Sequence, residues 1–166
     1  MSARLHLGRS LADAALKHLR RPGERVGFFL ADVAGGVFTL REWRPVLDDE
    51  LDPSLHAILT DETATDVVRW AFTAKKSLVE VHTHGPFVPA AFSSIDIEGF
   101  GDWVSGVRWR LGGAPYAAAV IAGDTVDAWA WTGTSARPEQ VDAIVIGGCE
   151  IVPTTRASLE PFDASN

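Results

Sequence analysis

The chain has a single cysteine, Cys149, and only one methionine and one tyrosine. A lone cysteine closes no disulfide within the chain, so the fold does not depend on an oxidising compartment. Long apolar runs are also missing. No stretch reaches about 18 uncharged apolar residues, and the opening Met1-Ser2-Ala3-Arg4-Leu5-His6 has neither an apolar core nor a small-residue cleavage site. Neither export nor membrane spanning is expected, and the cytoplasm is the expected location. Positive charge is short too: 15 Lys and Arg stand against 22 Asp and Glu, for a formal net charge of −7 and a pI near 5.1. Phosphate binding draws its affinity from Lys and Arg, so this balance argues against a nucleic-acid partner. Arg20, Arg21 and Arg25 form the candidate basic cluster, and Asp13, Asp32 and the acids from Asp48 to Glu50 dilute it.

What is present fits one domain. A chain of 166 residues with 46% hydrophobic content buries about 70% of its unfolded surface on folding. The expected domain covers residues 1–152. The apolar pattern ends at Pro153, so residues 153–166 are expected to be a mobile or loosely docked tail. Apolar positions 11, 15, 16 and 19 predict a helix capped by Ser10 and ended by Pro22-Gly23. Residues 25–31 read as a buried strand, Gly35-Gly36 as a turn and 37–46 as the return strand. A solvated acidic loop, 48–55, precedes a helix from Asp61 or Thr63 to Lys75. Further strands are predicted at 77–84, 116–122, 126–131 and 141–146, with a helix starting at Ser93 or Ser94. No internal repeat or low-complexity block is evident.

Chemistry concentrates in Val81-His82-Thr83-His84-Gly85-Pro86 and Ser93-Ser94-Ile95-Asp96. Side chains alternate along a strand, so His82 and His84 point the same way with α-carbons roughly 6.5 to 7 Å apart, a span two imidazoles close onto one metal. Asp96 is a third candidate ligand. Two His and one carboxylate leave the fourth position of a tetrahedral zinc open, as in catalytic sites. Hydrolysis also needs a carboxylate to take the water's proton, and Glu24 stands at the mouth of the first predicted strand. Glu80 shares the histidine face and is a rival for that role, with a carboxylate at the strand's outer end as the simpler reading. Ser93 to Asp96 also fits a helix N-cap. His6, His18 and His56 lack ligand spacing, and Trp70, Trp103, Trp109, Trp129 and Trp131 read as core.

Glu24 with Gly27, then His82 and His84, then Ser93 and Asp96, together resemble the signature of the JAMM metalloprotease family, the JAB/MPN domain. The chain departs from it by placing Gly85 before Pro86, a one-residue insertion after the second His. The resemblance covers roughly residues 8–132. It implies an α/β fold, a single mixed-sheet domain flanked by helices in the cytidine-deaminase-like JAB/MPN architecture. It also implies Zn2+ on His82, His84 and Asp96, with Glu24 as the base and Ser93 donating to the developing oxyanion. The activity it implies is an isopeptidase cutting the C-terminal amide of ubiquitin or a ubiquitin-like protein, beside E1/E2-like conjugating enzymes and in some relatives in antiphage defence. Alternatives are a zinc hydrolase of sulfur-carrier proteins or peptide-like metabolites, and a non-catalytic scaffold subunit. Oligomeric state is left open. Loop 85–92 is expected to line the channel for a Gly-rich tail.

Overall fold

The computed structural model describes residues 2–54 and 57–154. Ala3–Leu7 is a strand, β1, which leads into α1 (Arg9–Leu19). A hairpin follows, β2 (Val26–Ala34) and β3 (Val37–Pro45), whose turn places Gly35 and Gly36 at φ +56° and +81°. Most residues other than glycine avoid that region, so the Gly-Gly pair sets the hairpin. After a short 3-10 turn come α2 (Asp61–Ala74), β4 (Ser77–His84) and α3 (Ser94–Arg110). The chain continues through β5 (Tyr116–Ala122), β6 (Thr125–Trp131), β7 (Glu139–Ile146) and β8 (Cys149–Ile151).

The strands run in the order β1-β3-β2-β4-β5-β6-β7-β8, and β1 also pairs with β7. Seven strands therefore close into a mixed barrel, with β8 paired to the end of β7. The pairs β1–β3, β1–β7 and β4–β5 are parallel and the rest antiparallel. This corrects the expected architecture. An open mixed sheet flanked by helices would leave both edges free, whereas the parallel β1–β7 ladder, from Ala3 opposite Val141 to Leu7 opposite Ile146, removes them. The sequence reading had no strand at 3–7, and so no means of closing the barrel.

Two apolar clusters occupy the two sides of the wall. One draws on all seven barrel strands, through residues such as Leu5, Phe29, Phe38, Val79, Ala119, Ala130 and Val141, and takes Ala15 and Leu19 from α1. It fills the interior. Small side chains there leave an apolar cavity of about 210 Å³ between α1 and the strands. The other lies outside, where Phe28, Leu78, Tyr116, Val120, Trp129 and Trp131 pack under Val67 and Ala71 of α2 and Phe100, Val104 and Val107 of α3. β5 is buried on both faces, so it reads as an unbroken apolar run.

The N-cap of α1 is Gly8, without a side-chain cap, and Ser10 lies inside the helix. α2 is capped by Thr60, which accepts from the Thr63 N–H. Of the expected tail, Pro153 is buried, and Thr154 donates from its N–H to Val126 O at 2.9 Å and from Oγ1 to Ala90 O at 2.8 Å. Residues 155–166 lie outside the described residues, as does His56. No helix among the described residues is long and apolar enough to cross a membrane.

Candidate metal centre

The alternation of β4 sends Val79 and Val81 into the barrel and Glu80, His82 and His84 outward. Opposite them, Ser93 is the N-cap of α3 and Asp96 its third residue, closing a capping box. The Ser93 N–H donates to Asp96 Oδ2 at 2.6 Å, the Ser93 hydroxyl donates to the same oxygen at 2.8 Å, and the Asp96 N–H returns to Ser93 Oγ at 3.2 Å. This double clasp points the carboxylate at β4. Asp96 Oδ1 lies 3.3 Å from His82 Nε2, and Oδ2 lies 3.3 Å from His84 Nε2. One ligand atom from each of the three residues falls within 4.8 Å of the others, close enough for one cation to bridge them.

The donor set fits a metal on more than proximity. His82 is buried, and its Nε2, which no solvent reaches, makes no well-formed hydrogen bond, with only the Asp96 carboxylate standing near it. Such an orphan is costly unless something pairs with it. The His82 ring is held by Phe92, 5.9 Å away between centroids, which in turn packs on Phe100 and Trp129. Two imidazole nitrogens and a carboxylate oxygen suit zinc, with a fourth position left for solvent.

Electrostatics couple the three groups. Burial alone would lower the His82 pKa, but the carboxylates of Asp96 and Glu80 outweigh it and raise it from 6.5 to about 9. Burial alone would raise that of Asp96, and the imidazoles of His82 and His84 beside it, with the Ser93 hydroxyl, reverse this, holding the carboxyl well below the usual range.

Glu24 is exposed and lies two residues before β2. Val26 pairs with His82 at the end of the ladder; beyond it the Thr83 N–H donates to Arg25 O while the Arg25 N–H turns to the Thr83 side-chain Oγ1, each at 2.9 Å. Glu24 precedes these bonds and is not among the residues whose ligand atoms converge. Gly27, part of the same sequence pattern, has the Trp43 ring where its side chain would be: a Cβ would lie 2.1 Å from that ring. Ser93 is a helix cap whose hydroxyl is engaged by Asp96.

Sequence reasoning missed the partners of Glu80. Glu80 is part-buried; its Oε1 lies 3.5 Å from His82 Nδ1, and its Oε2 accepts from the Tyr116 hydroxyl at 2.7 Å. Tyr116 accepts from Trp103 Nε1–H at 2.8 Å. Alternation had put Glu80 on the histidine face, but the neighbouring strand β5, which brings Tyr116 beside it, is parallel and more than thirty residues away.

No family model matches the sequence, and no curated protein matches it. The solution structure of protein DSY2949 from Desulfitobacterium hafniense, a Northeast Structural Genomics Consortium target, is similar to this one with a TM-score of 0.54 and 16% sequence identity. The match covers 93% of this chain and 97% of that one. At that identity the likeness shows fold alone. The resemblance to the JAMM, or JAB/MPN, family is therefore corrected. It rested on Glu24 with Gly27, His82 with His84, Ser93 with Asp96 and the order of elements over roughly residues 8–132, a short motif that carries a risk of false matches, and the closed barrel is not the α/β architecture it implied. The chain is a closed mixed barrel, similar in fold to DSY2949, that draws His82, His84 and Asp96 together on its outer wall.

Proposed function

We propose that this protein is a zinc-dependent hydrolase acting on an amide bond. The observation that carries the reading is the convergence of His82 Nε2, His84 Nε2 and the Asp96 carboxylate, with His82 Nε2 buried and otherwise without a partner. When bound, zinc supplies a Lewis acid that polarises a carbonyl and acidifies water at neutral pH. Ser93 and the α3 N-terminus hold Asp96 in place through the capping box. Glu24, on the segment that leads into β2, takes a proton from the attacking water and gives it to the departing amine. Its exposure leaves it free to meet substrate and solvent. Glu80 stands behind His82, on the Nδ1 side, and so cannot serve as that base.

Around the centre, Phe87 is 96% exposed, Val88 63% and Ile95 73%. Apolar side chains held out beside a polar site favour a substrate with apolar side chains of its own, such as a peptide. The ubiquitin-like substrate and its conjugating enzymes were implied by the family resemblance alone, and the site geometry does not select them. The test is hydrolysis of a mixed peptide library by purified protein, followed by mass spectrometry. Turnover that a chelator abolishes and zinc restores supports the reading. Chelator-insensitive turnover, or none with zinc bound, contradicts it.

A further inference from the structure

Behind the candidate metal ligands runs a second row of side chains with no part in the chemistry described above. Trp103, from α3, donates to Tyr116 of β5 at 2.8 Å. Tyr116, fully buried, donates to Glu80 Oε2 at 2.7 Å. Glu80 then places Oε1 3.5 Å from His82 Nδ1. Each donor in this row has an acceptor, and the row ends on His82, an imidazole whose opposite nitrogen is buried with only the Asp96 carboxylate near it. We propose that Glu80 is a positioning residue that holds His82 as the Nδ1–H tautomer, leaving the Nε2 lone pair for a metal, and that Tyr116 and Trp103 fix Glu80 in turn. The proposal rests on the metal-centre reading above.

The physical reason is that a neutral imidazole has one donor and one acceptor nitrogen, and a hydrogen bond at one decides the other. A carboxylate behind a ligating histidine fixes the ring's orientation and makes the metal-facing nitrogen more basic. Tyr116 leaves the Glu80 carboxylate little freedom to turn away, because its hydroxyl has already accepted from Trp103 and its only proton goes to Oε2. His84 has no such carboxylate among its described contacts, so the two histidines differ: one is anchored from behind and the other stands nearer solvent.

The experiment measures zinc affinity of the full chain by competition with a chromophoric chelator, for wild type, Glu80→Gln and Tyr116→Phe. It adds 15N NMR of the histidine rings in zinc-loaded wild type. Glu80→Gln keeps the side chain's volume but removes its charge, and zinc is expected to bind roughly 10- to 100-fold more weakly. Tyr116→Phe, which leaves Glu80 in place but unfastened, is expected to weaken zinc in the same direction by less. His82 is expected to carry its proton on Nδ1. Equal zinc affinity in wild type and both variants, or a proton on His82 Nε2 with zinc bound, would overturn the positioning role while leaving the metal centre standing. A wild type that binds no zinc would overturn the metal reading and this inference with it. Should Glu80→Gln fail to fold, Tyr116→Phe and the wild-type tautomer still decide.

Discussion

Val79 and Val81 turn from β4 into an interior walled by Ala117, Ala119, Ala128 and Ala130, while Glu80, His82 and His84 of the same strand turn outward to meet α3. On the inner side every named residue is apolar, and the space left over is an apolar cavity beside α1. On the outer side the protein buries an imidazole and brings two carboxylates to it, whose pull outweighs the effect of burial on its charged form. The rest of the outer side is apolar as well, with Phe28, Leu78 and Trp129 packed under α2 and α3. Where local rules of burial are broken without any gain to the fold, function is the expected reason.

The comparison is broken most severely at the base. Glu24→Gln is expected to lower the rate of hydrolysis on the order of 100- to 10,000-fold, with zinc content unchanged, because an amide keeps the shape and loses the proton-accepting ability. Steady-state kinetics beside metal analysis checks both halves. Phe38→Ala does the reverse. Phe38 is wholly buried on the inner side, and its truncation is expected to cost about 3 to 5 kcal/mol in a urea melt, while the protein that remains folded binds zinc as before.

Ser93→Ala stands between the two sides, since the residue caps α3 and clasps Asp96. A loss of about 0.5 to 2 kcal/mol in stability is expected from the cap alone, with weaker zinc binding as the carboxylate is freed; unfolding and chelator competition measure the two separately. The smallest effect concerns His18. Burial mainly lowers its pKa from 6.5, opposed by the hydrogen bond its Nε2 makes to Val26 O at 3.1 Å and reinforced by Arg25 and Arg21. The unfolded chain therefore takes up this proton first as pH falls. The contribution is complete above 6.5 and is lost as pH drops from there toward the lowered folded value. Thermal melts of wild type and His18→Gln across that window are expected to show a shallower acid-side loss in the variant.

Much of this was legible in local pattern. Ser77–His84 was readable as a strand from its apolar run and His-x-His alternation, and Ser93 and Asp96 as a helix start from their spacing. The hairpin of β2 and β3 was readable from Gly35-Gly36. The rest depends on distance along the chain. β1 is five residues long and makes only parallel, remote pairs with β3 and β7, so nothing local marks it as the strand that closes a barrel. Ser10 has the chemistry of a cap, but the chain enters the helix at Gly8, in extended backbone. Glu80 was visible on the histidine face, yet only the register of β4 on β5 shows that Tyr116 and Trp103 hold it there.

X-ray absorption at the zinc edge, on protein loaded with one equivalent of zinc, tests the central claim most directly. The account predicts a four-coordinate shell of nitrogen and oxygen at about 2.0 to 2.2 Å, with the multiple scattering of two imidazoles, reduced to one in His82→Ala. A shell without imidazole, or one unchanged by His82→Ala, would mean that the outer face of β4 is not a metal centre.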